Sequence, residues 1–241
     1  MTGWIACCLL LAAPAAPSHA SWTPLLSRYV HSGEVDYHGL KANSAELDGY
    51  LRTLVRTRGE ELDKLSRADR LAFWISAYNA YTVRTVLDHY PLKSIRSIGL
   101  LPGAAFRASF IPLAGEELSL NDIEDRLRSM KEPRIHFALV CAAKSCPALR
   151  AEAYTGEQLE RQLSEAAREF LADRRKNRFD PASRTLELSS IFKWYRGDFE
   201  SAAGSVEAYV ARYAPDALAQ AARQINARIA FLEYDWSLNG K

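Results

Sequence analysis

Apolar residues recur along this chain mostly at helical spacing. Trp22 to Val30 reads as a short amphipathic helix, and Leu47, Leu51, Leu54 and Val55 predict another over about 43–57. Ser66 and Asp69 form a capping pair. They open the richest apolar segment: Leu71, Phe73, Trp74, Ile75, Tyr78, Tyr81, Val83, Val86 and Leu87. A segment apolar nearly all round predicts a buried central helix, stopped at Pro91. Ser119-x-x-Asp122 caps a further helix with Ile123, Leu127 and Met130 on one face. Thr155-x-x-Gln158 opens one carrying Leu159, Leu163, Ala166, Ala167 and Phe170, and the basic cluster Arg174–Arg178 closes it, as the helix dipole favours. Ile191, Phe192, Trp194 and Tyr195 predict a helix from Ser189, and two more follow around 205–213 and 216–227.

Between these lie extended pieces. Gly33–Tyr37 is brief. Residues 91–118 show no helical period, and Phe106 to Leu113 followed by Gly115 reads as a hairpin beside a long loop. Ile135, Phe137 and Leu139 alternate with His136, Ala138 and Val140, which predicts a strand over Arg134–Val140. A second hairpin spans Phe179–Leu188, turning at Asp180-Pro181, and a closing strand runs from Arg228 to Trp236. The sum is an α+β fold: a helix-dominated single domain over 21–241 with a small, mostly antiparallel sheet.

Composition narrows the class. The 241 residues are 48% hydrophobic and 25% charged, a balance that excludes a disordered chain. Thirty-one basic against 29 acidic residues leave no excess that calls for nucleic acid. Residues 1–20 contain no Lys, Arg, Asp or Glu, hold a short apolar stretch from Trp4 to Ala13, and end in Ser18-His19-Ala20, with small residues at the −3 and −1 positions. That is the build of a signal peptide, though without a basic residue before the apolar stretch. Cleavage after Ala20 would leave a periplasmic or secreted chain with no integral membrane segment. Its cysteines would be Cys141 and Cys146, and its histidines His31, His38, His89 and His136.

The segment from Arg134 to Leu149 is the one most able to carry chemistry, because His136 runs into a loop holding both cysteines. Three readings stand. Cys141 and Cys146 can form a disulfide, as an oxidising compartment favours. Cys146 can be a nucleophile with His136 as its base and Lys144 nearby, since the thiolate is the reactive form. Both can also be buried as small hydrophobes. A metal is disfavoured, because Cys-x4-Cys with one histidine lacks the tighter spacing of common zinc sites. No cofactor motif is read. Asn79, alone in the apolar helix, must be hydrogen-bonded, to a loop backbone or to His136. Glu124 can reach a neighbouring histidine, although adjacent carboxylates on a helix diverge by about 100°. Phe192–Tyr195 with Asp198-Phe199, and Glu233–Trp236, read as core aromatics.

Phe73-Trp-Ile-Ser-Ala-Tyr-Asn-Ala80 resembles the FWINxYNA helix of the domain-of-unknown-function 547 family. Arg134-Ile-His-Phe-Ala-Leu139 with Cys141-x4-Cys146-Pro147 resembles its RIHFALNCxxxSCPxL motif, and Ser119-Leu-Asn-Asp-Ile-Glu124 its SLDDIEH segment. Ser190–Tyr195 with Asp198-Phe199, and the ending Tyr234–Asn239, are similar to its closing motifs. The resemblance covers about 22–239 and carries Asn79, Glu124, His136, Cys141 and Cys146 onto this chain. It implies an exported bacterial protein from a family without a settled reaction, some of whose plant members carry a leucine zipper. Asp125, Ser76 and Val140 depart from the His, Asn and Asn of those motifs. If a base acts from the IEH histidine, this chain lacks it; if His136 is the base, the set is complete. The expected function is a thiol-dependent hydrolase or acyl transferase acting on a small-molecule or peptide ligand, with Cys146, His136, Asn79 and Glu124 as its catalytic set. The alternatives are a non-enzymatic binding or scaffold domain held by a Cys141–Cys146 disulfide, and a redox protein cycling the same pair.

Overall fold

A computed structural model describes residues 18–101, 103–224 and 228–241. Most of the expected leader lies outside these residues, as do the last three of the helix expected around 216–227. Of the leader's final residues, His19 packs by its Nδ1 on the Tyr50 hydroxyl at 2.7 Å, and burial pushes its imidazole down to about 4.

The all-round apolar segment forms the longest helix, Arg67–His89, capped where Ser66 Oγ accepts the Asp69 N–H at 3.0 Å. Every residue from Leu71 to Val83 is buried. The helices Tyr37–Ala42, Ser44–Val55 and Leu120–Ser129 pack around it. A second apolar cluster gathers Phe170, Phe192, Phe199, Tyr209 and their neighbours from the later helices. The Leu159–Ala172 helix joins the two, giving Leu159 and Leu163 to the first cluster and Ala166, Ala167, Phe170 and Leu171 to the second.

The sheet is three small sheets. Val30–His31 pairs with Glu34–Val35, and Ile111–Leu113 with Glu116–Leu118. The second of these hairpins turns through Ala114 and Gly115, both at positive φ (55° and 84°), the conformation a tight two-residue turn requires. Phe106 and Arg107, expected to open that hairpin, instead belong to a short helix, Ala104–Arg107. Thr185–Leu188 pairs antiparallel with Arg178–Asp180 and parallel with Arg228–Phe231. The closing strand thus ends at Phe231, short of Trp236.

One expected element is absent. Pro133–Phe137 is a 3-10 helix, not the start of a strand. Pro133 sits at its first turn, where a missing N–H costs nothing, and the Glu132 carboxylate accepts the Arg134 N–H at 3.3 Å. The alternation of Ile135, Phe137 and Leu139 misleads because the segment is wedged between the two cores. His136 and Ala138 are as buried as their apolar neighbours, so neither face is solvated. No strand flanks this backbone. Asn79 takes that place: its Nδ2 donates to the Ala138 carbonyl and its Oδ1 accepts the Val140 N–H, each at 2.9 Å.

Replacing Asn79 by Ala would leave both backbone groups buried and unpaired. At about 1–3 kcal/mol for each of the two orphaned groups, urea unfolding of Asn79→Ala is expected to show a loss of roughly 2–6 kcal/mol. A loss under about 1 kcal/mol would contradict the clamp.

Candidate functional site

The Asn79 clamp sets the chain on either side of residues 138–140. Upstream, His136 is 4% exposed. Its ring stacks on Tyr195 at a centroid distance of 3.9 Å and 20° between planes, and Phe199 meets it edge-on at 5.5 Å. Its Nε2 lies 2.8 Å from Asp198 Oδ2. Arg128 grips the same carboxylate through Nε (2.8 Å) and Nη2 (3.2 Å). The imidazole hydrogen bond first, and the Arg128 guanidinium after it, hold the Asp198 carboxyl well below the usual carboxylate range. An ionised Asp198 accepts the Nε2–H, which leaves Nδ1 as the free lone pair of the ring.

Downstream, the sulfurs of Cys141 and Cys146 are joined as a disulfide with their Cα atoms 6.2 Å apart. The Cys141 N–H donates to Cys146 Sγ at 2.8 Å, and the Tyr234 hydroxyl lies 3.3 Å from Cys141 Sγ. Ala142 adopts the left-handed region (φ 59°), a strained choice for an alanine. Its carbonyl accepts the Asn239 N–H at 3.1 Å. The Lys144 and Ser145 N–H groups donate to the Ser237 and Asp235 carbonyls, and Lys176 Nζ to the Cys146 carbonyl at 2.6 Å. Because the disulfide closes a separation of only 5 residues, its chain-entropy effect is about 2 kcal/mol, at the low end for such links.

These pieces meet at a cavity of about 270 Å³. Tyr78, Phe106, Trp194, Tyr195, Tyr234 and Trp236 line its apolar walls; Asn121, Glu124, His136 and the two cysteines also face it. A mostly aromatic hollow with a few convergent polar groups has the make-up of a small-ligand site. A second hollow of about 450 Å³ lies on the Asp198 side of His136, beside Arg128, Lys131 and Ser201.

Cys146, His136 and Glu124 thus share one cavity. Asn79 does not line it: both ends of its amide are spent on backbone. Lys144 is exposed and does not line it either. Burial first, and the nearby Glu124 carboxylate after it, push the Tyr195 phenol well up, and Tyr195 is the ring stacked on His136. Asp125 is exposed and pairs with Arg128 at 3.6 Å, outside the cavity. A histidine at that position would not face the sulfurs. The segments read as core aromatics divide. Phe192 and Phe199 are fully buried, while Trp194 (46% exposed), Tyr195, Tyr234 and Trp236 face the cavity. Asp198 was not among the candidates. The signal for it lay in the Asp198-Phe199 motif, three and four positions beyond Tyr195 on a helical period.

Residues 62–171 match the model of the family described as protein of unknown function, DUF547. Over that span the chain is similar to the DUF547 family. The DUF547 span carries the central helix, Glu124, His136 and both cysteines. Tyr195, Asp198, Tyr234 and Trp236, which complete the site, come from beyond it. No curated protein and no solved structure matches the chain. No helix among the described residues is long and apolar enough to cross a membrane, and no group of three or more His, Cys, Asp or Glu side chains there could hold a metal ion.

Because the folded-state pKa of Asp198 is depressed, its contribution to stability is present above the unfolded value near 3.9 and is lost as pH falls through the folded one. Urea unfolding of wild type and Asp198→Asn is expected to show a stability gap that is full at pH 7 and narrows progressively below about pH 4. A gap that stays constant from pH 7 to pH 2 would show that the carboxylate charge contributes nothing.

Proposed function

We propose that this chain is an exported, thiol-dependent hydrolase or acyl transferase, with Cys146 as nucleophile, His136 as its base and Asp198 holding the imidazole. The observation that carries the reading is His136, held by Asp198 from behind, on the wall of the cavity that both cysteines line. A base oriented by a third group beside a nucleophile is the general arrangement of covalent catalysis.

The reactive form is the reduced one. Cys146 passes its proton to His136 Nδ1, and the backbone N–H of Cys141 stabilises the resulting thiolate. The thiolate attacks a carbonyl carbon and a C–S bond forms. The bond to the leaving group breaks as the His136 imidazolium returns the proton to it. Water or an acceptor, deprotonated by His136, then attacks the thioester and releases Cys146. Asp198 stabilises the imidazolium in both halves, and the stacked Tyr195 ring holds the imidazole in its orientation.

The second reading rests on the bonded sulfurs themselves. In it the disulfide is a strut and the cavity belongs to a non-enzymatic periplasmic binding or scaffold domain.

Reduced full-length chain, alkylated with iodoacetamide across pH 5–10, separates the two. The thiol-enzyme reading expects Cys146 to titrate below the ordinary thiol value of about 8.5 and to return to it in His136→Asn. It also expects reductant-dependent p-nitrophenyl acetate hydrolysis, lost in Cys146→Ser and reduced about tenfold or more in Asp198→Asn. A Cys146 profile indifferent to His136→Asn, with no hydrolysis above buffer, overturns this reading in favour of the scaffold.

A further inference from the structure

The two sulfurs of the Cys141–Cys146 bond are not equivalent. Cys141 is partly exposed, and its Sγ meets the Tyr234 hydroxyl at 3.3 Å. Cys146 is 3% exposed, and its Sγ accepts the Cys141 N–H at 2.8 Å. In thiol–disulfide exchange a thiolate attacks one sulfur and the other leaves with the electron pair. Attack requires access, and departure is favoured where a donor stabilises the negative charge. Access selects entry at Cys141; each sulfur has a donor, the Tyr234 O–H at 3.3 Å from Cys141 Sγ and the Cys141 N–H at 2.8 Å from Cys146 Sγ, and the shorter contact favours departure from Cys146.

The loop does not depend on the bond for its shape. Backbone hydrogen bonds from Lys144, Ser145 and Asn239 tie it to the C-terminal segment, and Lys176 holds the Cys146 carbonyl. Ser145 Oγ also accepts the Asp235 N–H at 2.9 Å. A loop fastened on this many points keeps its place when the sulfurs part, which is the condition for a reversible bond rather than a permanent strut.

We propose that the disulfide is a latent form of the Cys146 thiolate, opened by exchange with a dithiol whose first thiolate attacks Cys141. An S–S bond forms between that thiolate and Cys141 Sγ, and the Cys141–Cys146 bond breaks with its electron pair on Cys146. The second thiol of the reductant then displaces Cys141. The net result is one oxidised dithiol and two free cysteines, with two electrons and two protons transferred. The exchange stands on the geometry of the disulfide alone. That the freed thiolate then transfers acyl groups rests on the function proposed above.

Oxidised full-length chain treated with glutathione, quenched with iodoacetamide and peptide-mapped tests the direction. Glutathione is expected on Cys141 and the alkyl group on Cys146, with about tenfold or greater preference. Dithiothreitol is expected to free both thiols without denaturant and to leave a cooperative thermal transition. Glutathione on Cys146, thiols released only in denaturant, or unfolding on reduction would each overturn the proposal. Because ester hydrolysis is not read here, an inactive reduced chain with the expected mapping rejects acyl transfer and leaves the exchange standing.

Discussion

A single buried amide organises this site. Asn79 lies in a helix whose other residues from Leu71 to Val83 are buried and largely apolar, where an unpaired amide would cost free energy rather than contribute it. The cost is offset because both ends of the side chain reach backbone groups 59 and 61 residues away in sequence. That bridge fixes the Ala138–Val140 backbone against the long buried Arg67–His89 helix. His136 stands two residues before it and Cys141 one residue after, so the imidazole and the disulfide loop take their positions from the same anchor.

The electrostatics of the site follow from how deeply His136 is placed. An imidazole between two apolar cores needs a partner for its N–H, and the carboxylate of Asp198 supplies it. Asp198 is itself kept ionised by the same hydrogen bond and by Arg128, whose guanidinium also lies 5.5 Å from the Tyr195 ring centre. Tyr195 covers one face of the imidazole and Phe199 its edge, so the ring has little rotational freedom. The disulfide loop is constrained in a comparable way by the C-terminal strip from Tyr234 to Asn239. The cavity lies between these two fixed bodies.

Much of the architecture was legible in the chain. The central helix followed from its all-round apolar content, and its start from the Ser66 and Asp69 capping pair. The Leu120–Ser129 helix followed from Ser119 in the same way. Thr155 misled as a cap: Gln162 Oε1 accepts its N–H, and the helix begins at Leu159. The Arg134–Val140 strand failed for a related reason. Alternation of residue types identifies a strand only when one face is solvated, and here both faces are covered by separate cores. Of the candidate site, the grouping of His136 with the cysteines was visible because eleven consecutive residues, 136–146, contain it. Asp198 was not singled out, because nothing local to His136 points to a carboxylate 62 residues further on.

Sequence alone determined the long helices, the Ser66 and Ser119 caps and the family resemblance, because each is encoded by residues close together in the chain. Tertiary structure decided the chemistry available to the site. It joined Cys141 to Cys146, committed one nitrogen of His136 to Asp198, spent Asn79 on backbone, and brought Tyr234 to Cys141 across 93 residues. These pairings depend on how two hydrophobic clusters close on the short segment between them. No local pattern specifies that, because the free energy that selects it is shared among residues far apart in the chain.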